Sequence, residues 1–200
     1  MIEAETAQHE EVRVARLHDV CPPWFGYFLA SPVRKLWQDP HRILAPYVAP
    51  GMTVLEPGPA MGFFTLELAR LVGPSGRVVA VDLQAKMLEA LARRARKRGL
   101  AERIETRLAT ADALGIADLA GRADFALVFA MAHEVSDPAR LFADVAAALR
   151  SGGRLLFDEP KTPVSEAQFA ESLRLLVAHG LRVEARPAIR TSRAAVLVKA

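Results

Sequence analysis

The chain has a single cysteine, Cys21, which excludes an internal disulfide and any metal site built from cysteines alone. It has no apolar run approaching the roughly 20 residues that a membrane-spanning helix needs. Neither sign of charge dominates: 26 Lys and Arg stand against 23 Asp and Glu, a net charge of +3, so the isoelectric point near 9.3 reflects a slight surplus of arginine and not a strong field. Glycine and proline are nowhere dense enough for a disordered linker, and no repeat occurs at solenoid periods. The opening stretch, MIEAETAQHEEVR, is polar and acid-rich and lacks the apolar segment of a secretory signal, so a cytoplasmic location is expected.

What is present is an ordinary globular composition, 52% apolar and 24% charged, over 200 residues. That length suits one α/β domain with a full core and a short appendage. Residues 1–50 differ in texture. They contain Trp24, Trp37, Tyr27, Tyr47 and six prolines, and they are expected to form an N-terminal cap of short helices at about 32–38 and 40–48. Ser31-Pro32 and Asp39-Pro40 each pair a capping residue with proline at the first helical position. From residue 51 onward, strand-like segments at 53–57, 77–82, 103–108, 124–130 and 153–159 alternate with helical patterns at 62–72, 85–98 and 138–150. This alternation predicts a parallel sheet with crossover helices. A helix at 165–179 then leads to strands at 181–187 and 192–199, separated by about four residues. So short a link cannot make a parallel crossover, which predicts an antiparallel hairpin at the sheet edge. The expected fold is a three-layer, Rossmann-like α/β domain over 51–200, with a seven-stranded, mostly parallel sheet whose last strand is reversed.

The stretch VLEPGPAMGFFT, residues 54–65, carries a strand into a glycine turn and then a helical pattern. Such a turn presents free N–H groups at the strand's C-terminal edge and suits a polar or anionic ligand. A dinucleotide fingerprint beginning at Gly58 would need glycine at position 63, which is Phe, and no G-K-[ST] follows to make a phosphate loop. The spacing is Gly58-x-Ala60-x-Gly62, with Glu56 before it on the strand. Asp82 ends the second strand about 20 residues past Gly62, as expected of a carboxylate gripping a ribose diol. Asp112 follows the third strand.

With these motifs in this order, residues 40–200 resemble the class I S-adenosylmethionine (SAM)-dependent methyltransferases. VLEPGPAMG is similar to that family's glycine-rich first motif and VVAVDL to its second. ATADAL resembles its adenine-contacting segment, FALVFAMAHEVSD its fourth-strand motif and LRSGGRLLFDEP its fifth-strand segment. The resemblance implies SAM as cofactor, with Asp82 on the ribose hydroxyls, Leu83 against the adenine, and Asp112 beside Ala113 at the adenine amino group. The turn of Gly58, Pro59, Ala60 and Gly62 would approach the methionine moiety, Glu56 its ammonium, and Phe129 the methionyl end. Ala60 departs from the family's usual glycine. Its methyl group is expected to hold φ negative and narrow the closest approach of the ligand.

A sulfonium is already a good methyl donor, so orientation is the protein's main contribution, and a base is needed only where the acceptor carries a proton. His133, just beyond the fourth strand, is the candidate base, and Glu159, after the fifth, is its companion among the candidate catalytic residues. Glu134 reads better as a loop cap. His18 and Cys21 are two ligands, too few for a zinc site. The run Arg93–Arg98 reads as a solvated helix end that complements the helix dipole. The acceptor expected is a small molecule, with no nucleic acid or membrane partner and a monomeric or homodimeric state. Two rivals stand beside it: a methyltransferase of RNA or protein that uses Arg93–Arg98 and RPAIRTSR (186–193), and a SAM-binding sensor or subunit that transfers nothing.

Overall fold

Seven strands lie side by side in the order β3-β2-β1-β4-β5-β7-β6. The strands are β1 (Thr53–Pro57), β2 (Arg77–Asp82), β3 (Ile104–Leu108), β4 (Ala123–Phe129), β5 (Leu149–Pro160), β6 (Leu181–Ala185) and β7 (Ser192–Lys199). Among the described residues the α-helices are α1 (Pro40–Leu44), α2 (Thr65–Leu71), α3 (Ala85–Lys97), α4 (Pro138–Ala148) and α5 (Glu166–Ala178). This computed structural model describes residues 38–110 and 112–200. The expectations for residues 1–37, including His18, Cys21, Trp24, Tyr27, Trp37 and most of the helix at 32–38, lie outside the described residues.

Strands β1 to β5 pair in parallel, whereas β7 runs antiparallel to both β5 and β6. The α/β fold with a reversed last strand is therefore as expected. Period-2 alternation distributes each strand between two layers. Leu55, Val79 and Val81 face Phe142, Val145, Phe169 and Leu176 of α4 and α5. Val54, Val78 and Ala80 face Leu68, Leu91 and Ala95 of α2 and α3, together with Leu44 and Val48. Tyr47 stacks on Phe125 with ring centroids 6.2 Å apart.

Helix starts follow capping chemistry. Asp39 accepts from the N–H of His41 at 2.9 Å ahead of Pro40, and Asp137 accepts from the N–H of Arg140 at 3.0 Å ahead of Pro138. Ser165 and Gln168 close a reciprocal capping box at the head of α5. Helix ends differ from expectation for local reasons. α1 stops at Leu44 and not at 48: Ala45 is still helical (φ -56°, ψ -29°), but Pro46 has no N–H with which to continue the hydrogen-bond ladder. α2 starts at Thr65 and not at 62, because Ala60 and Gly62 have φ of 47° and 81°. α4 ends at Ala148: Leu149 is extended (ψ 133°) and already pairs with Ala123 before the register resumes at Phe125 opposite Arg154. No helix among the described residues is long and apolar enough to cross a membrane.

Candidate active site

The order of strands reverses between β1 and β4, and this is where open α/β sheets bind ligands, at the C-terminal edge. Two walls meet there. The first is the turn between β1 and α2. The Gly58 N–H donates to the Val81 carbonyl at 2.8 Å, and the Gly62 N–H to that of Pro59 at 2.9 Å. Gly58 and Gly62 adopt φ of 67° and 81°. A Cβ at Gly62 would overlap Leu91 Cδ1 on α3, and one at Gly58 would come within 3.0 Å of Met131 Cγ. Helix α3 also reaches the turn through Arg94, whose Nη1 donates to the Met61 carbonyl. Burial, reinforced by nearby Arg98, holds that guanidinium below its ordinary pKa.

The expectation that Ala60 keeps a negative φ is corrected here: its φ is 47°, in the left-handed region. The turn demands this backbone whatever residue occupies it. Alanine therefore carries a strain of roughly 1–2 kcal/mol that glycine would avoid.

Two carboxylates stand behind the turn. Glu56 is buried, with 3% of its surface exposed, and its Oε2 makes no hydrogen bond among the described residues. Desolvation pushes its carboxyl up to about 8. The neighbouring Thr65 hydroxyl offsets part of this, although its Oγ reaches no good hydrogen-bond geometry, and the charge of Asp82 adds to it. Asp82, at the tip of β2, accepts from the Gln84 N–H at 2.9 Å. Burial raises its carboxyl above the ordinary range, against the lowering effect of backbone N–H groups of Gln84, Ala60 and Leu83. Beside it Leu83 is 50% exposed and leaves an apolar surface at the rim. Asp112 is exposed in a short turn closed by the Thr110–Ala113 bridge. Phe129 is buried at the tip of β4, and its ring lies 4.3 Å from that of Phe64.

The second wall follows β4 and β5. Ala130 has φ 53°, and its N–H donates to the Asp158 carbonyl at 2.8 Å. A single 3₁₀ turn, Ala132–Glu134, comes next. Glu159, buried on β5, accepts from the Ala132 N–H at 2.8 Å and pairs with His133 Nδ1 at 2.5 Å. This hydrogen bond raises the His133 pKa above the ordinary 6.5, partly opposed by burial. The two candidate catalytic residues, 26 positions apart in sequence, are thus brought together.

Met131, Leu91, Thr65 and Arg94 were missed as site-forming residues. The first three look like ordinary core or helix residues in sequence. Arg94 sat within a run read as solvated; in the fold it braces the turn, and Arg93 lies 3.8 Å from Glu89.

A family model described as a methyltransferase domain matches residues 55–157, more than half of the chain. The chain belongs to that family, the class I SAM-dependent methyltransferases, a family of enzymes whose cofactor is SAM. Among individual relatives, the ubiquinone/menaquinone biosynthesis C-methyltransferase UbiE of Hahella chejuensis is 33% identical over 135 residues, covering 66% of this chain and 53% of the relative. The chain thus spans about half the length of that curated relative. Among solved structures, a SAM-dependent methyltransferase from Aquifex aeolicus superposes with a TM-score of 0.78 at 22% identity, covering 89% of this chain and 98% of that one. Fibrillarin of Aeropyrum pernix, solved with natively bound SAM, superposes with a TM-score of 0.60 at 20% identity, covering 76% and 68%.

The residues present fit SAM. A buried carboxylate with an unsatisfied oxygen suits an ammonium, and a desolvated one at a strand tip suits a diol. The exposed Leu83 suits a flat aromatic base.

Proposed function

We propose that this protein transfers a methyl group from SAM to a small-molecule acceptor at the rim between β1 and β4. The observation that carries this reading is the pair Glu56 and Asp82, two desolvated carboxylates behind one glycine turn. Desolvating two acids side by side is costly, and a polar or cationic ligand that donates hydrogen bonds to them and balances their charge offsets that cost.

In this reading Asp82 accepts from both ribose hydroxyls, Leu83 covers one face of the adenine, and Asp112 with Ala113 meets its amino group. Glu56 faces the ammonium, while Gly58, Pro59, Ala60 and Gly62 border the methionine chain near Phe129. When bound, the cofactor supplies a methyl group on a positively charged sulfur. The chain's own residues fix the donor's direction, hold the acceptor in line and exclude water, which accounts for most of the acceleration expected of such an enzyme. An acceptor built on an aromatic or quinone-type ring is supported by the relative named for ubiquinone and menaquinone biosynthesis.

The test is SAM carrying a tritiated methyl group, incubated with fractionated cell extract, using Asp82→Ala as the blank. Label is expected in a small-molecule fraction with the wild type and not with the variant. Label confined to RNA or protein would replace the acceptor class, and equal label with the variant would remove the assignment.

A further inference from the structure

The wall beyond β4 contains a preset proton acceptor. Glu159 is 2% exposed, and its two oxygens are committed in different directions, Oε1 to the Ala132 N–H at 2.8 Å and Oε2 to His133 Nδ1 at 2.5 Å. A carboxylate tied in this way can only accept from the ring, so the imidazole proton sits on Nδ1 and Nε2 keeps its lone pair. Nε2 has Glu134 Oε1 at 3.9 Å, beyond hydrogen-bonding reach. The same turn places Met131 against Gly58, so the imidazole follows two residues behind the contact that joins the two walls. Met131 and Val135, on either side, are partly buried apolar residues packed on the core.

We infer that Glu159 is a positioning residue that holds His133 as general base for an acceptor bearing its proton on a hydroxyl conjugated with a ring or double bond, a phenol or an enol. This rests on the methyl-transfer reading above. Three other acceptor classes fit the pair less well. A tertiary amine or sulfide carries no proton to remove. A thiol ionises largely unaided near pH 8.5. An ammonium has no lone pair until its proton has left, so it gains nothing from a base acting as the methyl arrives. A hydroxyl keeps lone pairs while protonated and becomes strongly acidic as its oxygen is methylated, the situation in which an imidazole is effective. The apolar neighbours suit an uncharged ring.

The step balances as follows. The acceptor O–H bond breaks, its proton goes to Nε2, and its electron pair remains on the acceptor. That pair forms the bond to the methyl carbon, through oxygen or through a conjugated ring carbon, while the carbon–sulfur bond breaks and its pair returns to sulfur, giving a neutral thioether. After attack through carbon, the hydrogen on that carbon is lost to water and the oxygen is reprotonated. The imidazolium then releases its proton to solvent.

Two measurements test this. The first is NMR of nitrogen-15 histidine in the wild type and Glu159→Gln, with His133→Asn to assign the signal. The expected result is an Nδ1–H tautomer titrating above 6.5 in the wild type, with a lower midpoint in Glu159→Gln. An Nε2–H tautomer or an unmoved midpoint would overturn the inference. The second is transfer of labelled methyl to two probes, 1,4-dihydroxynaphthalene and 2-mercaptoethanol. With the hydroxyl probe, kcat/KM should climb about tenfold per pH unit up to the NMR midpoint. His133→Asn should lose about 10²- to 10⁴-fold in kcat with little change in KM, and added imidazole should restore part of the rate of His133→Ala. Glu159→Gln should follow its own lower midpoint, and the thiol rate should be nearly indifferent to both substitutions.

A hydroxyl rate indifferent to His133, a thiol rate that falls equally, or bound SAM with no transfer to the hydroxyl probe would each overturn it. Calorimetry separates the two levels: failure of the wild type to bind SAM removes the methyl-transfer reading itself, whereas SAM bound with a pH-flat rate removes this inference alone.

Discussion

The two walls of the rim treat acidic side chains in opposite ways. On the β1–β2 side, Glu56 and Asp82 are desolvated side by side, their carboxyls are raised, and one Glu56 oxygen has no hydrogen bond among the described residues. On the β4–β5 side, Glu159 is just as buried, yet both its oxygens are satisfied, one by a backbone N–H and one by an imidazole. A buried polar group left unsatisfied costs about 1–3 kcal/mol, more if it is charged, so the first wall stores a penalty that the second does not. The first wall leaves a buried carboxylate oxygen unpaired, and the second pairs both of its own.

The largest effect that would break this contrast is on stability against pH. The Glu56 carboxyl is raised from an ordinary 4.5 to about 8 in the fold. The folded state therefore holds a proton there that the unfolded chain has released, so its stabilising contribution is complete below about 4.5 and is lost as pH rises through about 8. Glu56→Gln should remove that fall and exceed the wild type by a few kcal/mol at pH 9. Urea unfolding at pH 5, 7 and 9 measures it, and parallel curves for the two proteins would show that Glu56 is satisfied after all.

Next in size is Gly62→Ala. The new Cβ overlaps buried Leu91 and sits at a φ of 81°, so a loss of about 2–3 kcal/mol is expected in the same assay. A loss below 1 kcal/mol would mean that the first wall yields easily and is not preorganised. The smallest effect is Ala60→Gly. Relief of left-handed strain, less the added freedom of the unfolded chain, should stabilise the protein by about 0.5–1 kcal/mol, with SAM bound at least as tightly. Weaker SAM binding by this variant would show that the alanine methyl group itself contacts the ligand.

Much of the fold was legible in sequence because its signals are local. Asp39-Pro40 and Asp137-Pro138 are complete capping units, and short apolar runs such as DFALVFA, in alternation with helical patterns, read as buried strands. The hairpin followed from a link too short for a crossover. The starts and stops that slipped depend on backbone states that no side chain announces. Ala60 is the clearest of these: its left-handed φ belongs to the turn and overrides alanine's preference. At the site, His133 and Glu159 were each visible as titratable residues beside strand ends, but their hydrogen bond depends on β4 and β5 being neighbours in register, Phe129 opposite Asp158. Arg94 was hidden for the opposite reason, because five cations within six residues look like surface whichever of them turns inward.

Binding of SAM at the β1–β2 wall is decided by titration calorimetry with SAM on the wild type and Asp82→Asn. One saturable site is expected in the wild type, with affinity reduced about 30- to 100-fold in the variant, since a charge-assisted pair of hydrogen bonds is lost while thermal unfolding stays close to that of the wild type. Equal affinity in the two proteins, or no binding by the wild type, would contradict it.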